Sequence, residues 1–507
     1  MTSTAPPLVL DQESPIRSMK KENESLDNDT TDGQISDAIP NQLRYIELTD
    51  PAHPIHWSAT KKWIIISVYC LLEIFVALTS TTWVSIAFLI QERYGTSTQV
   101  TTLGQSMFIV GTAVGPAFLG PLSDISGRKW VYVCSILLYA IFMIGVALAR
   151  NFPMMVVFMF LSGAAGSTAL SNVAGTIADL YGDANNAGQA MALFVACANI
   201  GPSLGSPVGE WVAENPHMGL NWLFWLNVII GGAFAAVLAL VPETLPRVVI
   251  RRNPKHRDIE HAPVVEKKIS VMREIYFVTS MALRIMTTEP IVISLGLYNG
   301  FAYGIIFLYL SGVFGVFVTN NGLSYIVADL TFLNFAAGVI VLFFCMPIQT
   351  WAYTRDKANN GGQGRPEARF LTSLVCVWGF PASLLWIAFT SNGDTSYWSP
   401  IVGGAVLAFV DTLLYLSMLS YITDSYPNVA GSAVAAFLIP SFLLAAGFAH
   451  IGIIMFERMS TTWAFATLGF ISLGIVALVY ILYYFGPALR RYSKLARNFD
   501  EGHDRAI

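Results

Sequence analysis

Five carboxylic acids interrupt stretches of this chain that are otherwise apolar: Glu73, Glu210, Glu289, Asp329 and Asp411. A carboxyl in such a setting loses hydration, which disfavours its charged form. Held in that balance, it can bind and release a proton or a cation reversibly. Position along each run separates the five. Glu73 lies ten residues past Trp63, about 15 Å along a helix and near the middle of a membrane. Asp411 falls halfway along its run, while Glu289 opens its run just ahead of Pro290. A carboxylate at a helix start is also favoured by the dipole, so Glu289 reads equally well as a cap. Asp329 and Glu210 sit toward the outer ends of their runs, where solvation at the mouth is the expectation. His450 is a lone histidine in an apolar run and reads as a packed, hydrogen-bonded residue.

Other chemistry is missing. There is no GxxxxGK[ST] phosphate loop, no HExxH, no GxSxG, no kinase signature set and no EF-hand loop. The sequence therefore points to no catalytic residues, no metal site, no cofactor and no enzyme. Cys70, Cys134, Cys197, Cys345 and Cys376 each lie in an apolar run without a CxxC pair. They read as small packing residues. A net charge of −4 gives no reason to expect nucleic acid.

The elements that must hold these residues follow from hydropathy. Of 507 residues, 54% are hydrophobic and only 12% charged, against roughly 25% charged in soluble domains. A membrane-crossing helix needs about 20 mostly apolar residues. Twelve runs qualify: 63–90, 100–122, 130–149, 153–176, 188–211, 221–241, 287–315, 323–350, 369–390, 398–420, 430–454 and 462–486. The fold class is thus all-α, a polytopic membrane protein with about twelve spans. A polar stretch after the sixth divides them into two bundles, as in transporters built from related halves. The expected organisation is a disordered tail (1–56), an N-terminal bundle (57–241), a middle loop (242–286), a C-terminal bundle (287–486) and a second tail (487–507).

Orientation follows from Lys and Arg. Of the 29, all but Arg93, Arg150 and Arg458 fall in segments that are cytoplasmic if the N-terminus is inside. Both termini are expected there, and the sequons at Asn23 and Asn28 should then stay unglycosylated. No Lys or Arg lies in the interior of a proposed span, so the charge within the membrane is negative.

Two motifs stand out. Between spans 2 and 3 runs GPLSDISGRK, Gly120 to Lys129. Its Gly and Pro suggest a tight turn, and Asp124 and Arg128 set opposite charges on a short inner loop. Such a loop can pair with the neighbouring half and lock one conformation. In span 5, Gly201, Pro202, Gly205, Pro207 and Gly209 are spaced for close helix approach and a bend.

The first motif resembles the signature loop of the major facilitator superfamily, matching at Gly120, Leu122, Asp124, Gly127, Arg128 and Lys129. The second resembles the antiporter signature of its drug:proton branch, with Ser206 and Glu210 as departures. The stretches 57–63, 242–252, 289–310 and 364–370 are similar to fungal members of that branch (12-span, DHA1-like). This resemblance implies a central cavity lined by spans 1, 4, 7 and 10. It makes Glu73, Asp411 and Glu289 candidates for proton or cation coupling. Asn172, Tyr298, Asn299, Tyr303 and Tyr415 become candidates for the substrate cavity, although helix-to-helix hydrogen bonding explains Asn172 and Asn299 as well. Gly120, Asp124, Gly127, Arg128 and Lys129 would form the cytoplasmic gating loop. One departure bears on mechanism: Met159 stands where the branch usually carries an Arg linked to proton coupling.

The implied activity is secondary active transport by alternating access. A proton-coupled exporter of a drug, toxin, secondary metabolite or polyamine is expected, with protons, substrate and lipid as partners and a monomer as the unit. An acidic cavity without Lys or Arg favours cationic or neutral cargo. Two alternatives stand beside it: an uncoupled facilitator or importer of a small metabolite, and a membrane sensor that moves nothing. The plasma membrane is the expected location, with a vacuolar or vesicle membrane as the alternative.

Overall fold

A computed structural model of the chain describes residues 51–496 except 183, 216, 253–270, 362–363, 427–429 and 494–495. The sequons and the greater part of both expected tails lie outside the described residues. Twelve helical segments are long and apolar enough to cross a membrane, and no strand occurs among the described residues. Without water in the hydrocarbon layer, each backbone N–H and C=O must be satisfied within its own segment, and a helix does this.

In chain order the spans are Ala59–Ser85, Thr98–Ser126, Arg128–Ala147, Phe152–Tyr181, Ala187–Glu214, Leu220–Leu240, Pro290–Asn320, Tyr325–Asn359, Pro366–Thr390, Trp398–Ser425, Gly431–Arg458 and Thr461–Tyr492. Their starts carry local signals. Ser58, Ser97, Asn151 and Ser460 accept from backbone N–H groups three residues on, as N-caps do. Several spans are jointed rather than continuous. Span 2 breaks at Gly115, span 4 at Ser167, and span 7 ends in a π-turn at Phe314–Asn320. The stretch read as polar loop contains a helix, Val271–Thr288, which packs on the inner end of span 2 and on span 11.

Packing repeats between halves. Span 1 lies against span 5, span 2 against span 4 and span 3 against span 6. Six spans later, span 7 lies against span 11, span 8 against span 10 and span 9 against span 12. The internal repeat inferred from hydropathy is thus a repeat of contacts.

Glycine decides the two closest pairs. A Cβ on Gly201, Gly205 or Gly209 of span 5 would strike the backbone or side chains of span 1 between Ile74 and Ser85. In the other half the stripe sits on span 7: a Cβ on Gly296, Gly300 or Gly304 would strike span 11 between Phe437 and Phe448. Backbones approach closely where side chains are absent.

The halves meet along span 2 with span 11 and span 5 with span 8. On the side where spans 2 and 8 begin and spans 5 and 11 end, these pairs are tied by polar side chains. His450 of span 11 bonds Gln99 and Ser106 of span 2 through its two ring nitrogens, at 3.0 and 2.9 Å. Ser206 of span 5 donates to Asp329 of span 8 at 2.6 Å.

Candidate functional site: a carboxyl-lined cavity between the halves

Glu73 on span 1 and Asp411 on span 10 reach the same central cavity. It measures about 50 Å³, room for one or two waters, each of which takes roughly 30 Å³. Its polar wall also includes Asn199, Asn299, Tyr303 and Tyr415. Apolar cover comes from Phe108, Leu170, Leu438 and Phe442. No Lys, Arg or His is among the lining residues. Spans 1, 2, 4 and 5 supply one wall, and spans 7, 10 and 11 the other.

Both carboxyls are nearly shut off from solvent, with 4% of Glu73 and 7% of Asp411 exposed. The Oε2 of Glu73 has no hydrogen-bond partner. Tyr303 and Tyr415 lie close enough to feel the charge of both groups. A buried acceptor left open is costly unless it takes a proton or a donor from a ligand. The cavity can therefore hold a proton, a cation or a hydrogen-bond donor between two acids.

Not every sequence candidate reaches it. Asn172 is buried, accepts weakly from Ser171 at 3.4 Å, and is absent from the cavity lining. Tyr298 is buried beside Asp411 with its hydroxyl unpartnered, but it too is outside the lining. Glu289 stands at the N-cap of span 7 without bonding the helix's first N–H groups. It accepts instead from Tyr426 at 3.1 Å, where span 7 begins and span 10 ends, away from the cavity. Burial foremost, then the Glu289 charge, push the Tyr426 phenol above its ordinary range, so it remains a donor. Asn199, Ser80, Thr112 and Ser167 line the cavity and were not singled out for it. Asn199 stands two residues before Gly201, so the span-5 motif itself was a pointer to it.

Two expectations need correction. Asp329 is not solvated at an outer mouth, since it is fully buried, whereas Glu210, 4% exposed, lines a vestibule of about 730 Å³ as expected of a mouth. Distance along a helix gave the depth of Asp329, but not the face on which it lies. Among the described residues the Gly120–Lys129 loop makes no ion pair with the other half, although the helix that leads into it, Pro116–Ser126, touches span 11. Arg128 bonds within its own half, to Asp124 at 2.7 Å and to Asp179 of span 4 at 2.8 Å. The backbone N–H groups of Arg128 and Lys129 donate to Glu243, just beyond span 6. The turn also differs. Pro121 is inside a helix, and the chain reverses at Gly127, whose φ of 104° suits glycine. Its counterpart in the second half repeats the scheme. Arg369 pairs with Asp424 at 2.8 Å, and Glu367 with Arg490 of span 12 at 3.0 Å.

The family model of the Major Facilitator Superfamily matches residues 70–450. The chain belongs to that superfamily. An uncharacterised transporter of Schizosaccharomyces pombe is 47% identical over 475 residues, 92% of this chain and 87% of its own. A vitamin B6 transporter of the same yeast is 45% identical over 451 residues, 88% and 85% of the two chains. An MFS-type transporter of Penicillium rubens is 30% identical over 472 residues, 90% and 84%. As a member of the major facilitator superfamily, the protein is an integral multi-pass transporter and not an enzyme.

Proposed function

We propose that the protein couples protons to the movement of a small cationic or neutral organic molecule, by rocking its two halves about the central cavity. The observation that carries this is the meeting of Glu73 and Asp411, one from each half, in a cavity without a basic residue. With Glu73 Oε2 unpartnered, one site accepts either a proton or a cargo donor. Competition of that kind is what exchange requires. Coupling then needs no arginine on span 4, and Met159, which is buried and does not line the cavity, takes no part in it. At about 50 Å³ the cavity is smaller than an organic cargo, so loading needs it to widen.

The sequence resemblance favours export. The 45% identity to a vitamin B6 transporter favours a second reading of the cargo: a small hydroxylated heteroaromatic, moved in either direction. A pyridine ring with hydroxyl groups suits this lining, with donors for the acids and a face for Tyr303 and Tyr415.

The test is transport in right-side-out and inside-out vesicles, with and without an imposed proton gradient. Pyridoxine, a polyamine and an amphipathic cation serve as cargo. Gradient-driven movement of one of them is expected, lost at least tenfold in Glu73→Gln or Asp411→Asn, the equivalent of about 1.4 kcal/mol. Transport indifferent to the gradient and to both substitutions would leave a facilitator. The vesicle orientation that accumulates cargo decides between uptake and export.

A further inference from the structure

The mechanism above leaves one fully buried carboxyl unused. Asp329 lies on the short helix Tyr325–Leu330 at the outer end of span 8. Its Oδ1 accepts from Ser206 Oγ of span 5 at 2.6 Å, and that hydroxyl is 2.8 Å from Ser85 Oγ of span 1. Its Oδ2 has no partner. Spans 1 and 5 belong to one half and span 8 to the other, so this joint crosses the interface that must open.

Its neighbours share its sign. On span 5, Glu210 follows Ser206 by one turn, is buried, and is within hydrogen-bond reach of Glu214. Glu210 feels the charge of Asp329, and Asp329 that of Glu214. Of the other elements on this helix, the π-turn Phe314–Asn320 contributes no titratable group and span 1 contributes only the Ser85 hydroxyl. Just outside the joint lies a vestibule of about 730 Å³, with Glu210 and Glu214 in its wall. It brings outer water to Glu210 and Glu214, with Glu457 of span 11 in the same wall, and Ser85, the hydroxyl bonded to Ser206, also lines it.

We propose that Asp329 is a proton-operated latch on the outer gate, separate from the coupling pair in the central cavity. An ionised carboxylate with an unpartnered oxygen in a dry joint, beside a second carboxyl, is unfavourable. A proton from outer water, added to Oδ2, removes the charge and leaves the Ser206 bond in place, so the halves stay closed. Return of that proton to outer water leaves like charges on Asp329 and Glu210, which hold the halves apart. Acid outside closes the gate, and alkali opens it. The latch deepens the coupled-transport reading and rests on it for its place in the cycle.

The test asks whether an outside reagent reaches the central cavity. Thr112 lines that cavity, and its hydroxyl bonds only its own helix. In the full-length protein in right-side-out vesicles, Thr112→Cys is labelled with a membrane-impermeant methanethiosulfonate from acidic to mildly alkaline outer pH. The chain without Thr112→Cys gives the background from native cysteines. Thr395→Cys, in the exposed outer loop between spans 9 and 10, corrects for the reagent's own pH dependence.

Corrected labelling should rise about tenfold toward alkali, the equivalent of about 1.4 kcal/mol. Asp329→Asn, neutral and still able to accept from Ser206, should stay protected throughout. Glu210→Gln removes the opposing charge and should lower the alkaline labelling. A flat profile in the parent, or an unchanged one in Asp329→Asn and Glu210→Gln alike, would overturn the latch. Glu73→Gln separates the two ideas. It should lose gradient-driven transport while its labelling still follows pH. Labelling that follows pH through Asp329 with no gradient-driven transport sinks coupling and keeps the latch. Gradient-driven transport with flat labelling does the reverse.

Discussion

At the scale of single residues, buried charge separates into two kinds. Glu73 and Asp411 lack a cationic partner and face a cavity, whereas Arg128 is held by partners on every side. Its guanidinium meets Asp124, Asp179 and Ser123, and a Cβ on Gly175 would collide with it, so span 4 keeps a glycine where the group lies. Removing one partner of a buried pair strands the other, which costs about 3 kcal/mol or more. Arg128→Ala is expected to lower the thermal stability of the detergent-solubilised protein by that order, with Arg128→Lys intermediate because a single ammonium cannot span the same acceptors. Scanning fluorimetry on both variants checks it, and equal melting of wild type and Arg128→Ala would contradict the role. Residue identity and depth were legible in the sequence: the absence of positive charge inside the spans, and the mid-span positions of Glu73 and Asp411. Azimuth was not. The spans are apolar on nearly every face, so periodicity does not say which side looks inward. That is why Asn172, Tyr298 and Glu289 stood beside Asn299, Tyr303 and Tyr415 as equal candidates, although only the latter three line the cavity.

At the scale of elements, close approach is set by small residues rather than by strong contacts. The span-5 motif was legible as glycine spacing. Its direction of packing, toward span 1 of the same half, was not, because no partner helix can be read from one sequence. The corresponding stripe on span 7 passed unremarked, since Gly296, Gly300 and Gly304 are embedded in an aromatic run that reads as a cavity wall. The helix Val271–Thr288 was missed for another reason: it is amphipathic and too polar to pass as a span. Overpacking a tight contact costs roughly 1–3 kcal/mol. Gly205→Val and Gly300→Val should each lower stability by that amount. Gly232→Ala and Gly474→Ala, whose added Cβ atoms meet open space, should stay within about 0.5 kcal/mol of wild type. Thermal unfolding of the four variants side by side is the measurement. A span-5 glycine as tolerant as Gly232 would mean that the helices can separate at little cost.

At the scale of the molecule, what ties each half together is arranged differently from what ties the halves to each other. The ion pairs at the end of the molecule where spans 3 and 9 begin stay inside their halves: Arg128 with Asp179 in the first, Arg369 with Asp424 and Glu367 with Arg490 in the second. The polar ties between spans 2 and 11 and between spans 5 and 8 lie toward the opposite end, where spans 2 and 8 begin. The present conformation is thus pinned at that one end, and rocking must break hydrogen bonds that have neutral or single-charge partners rather than full ion pairs. Ser106 offers a way to freeze this joint, because its hydroxyl lies 3.4 Å from the carbonyl oxygen of Ala446 on span 11. A side chain at 106 thus abuts the span-11 backbone at 446, which makes this the place to introduce a pair of cysteines. Ser106→Cys with Ala446→Cys, in a background without the native cysteines, should cross-link on mild oxidation. Transport should fall to background and return on reduction, while each single cysteine variant keeps its activity through the same treatment. A cross-linked protein that still carries cargo at the uncross-linked rate would mean that spans 2 and 11 remain together through the cycle. The two halves would then not rock about the Glu73–Asp411 cavity, and the passage would have to open between other pairs of helices.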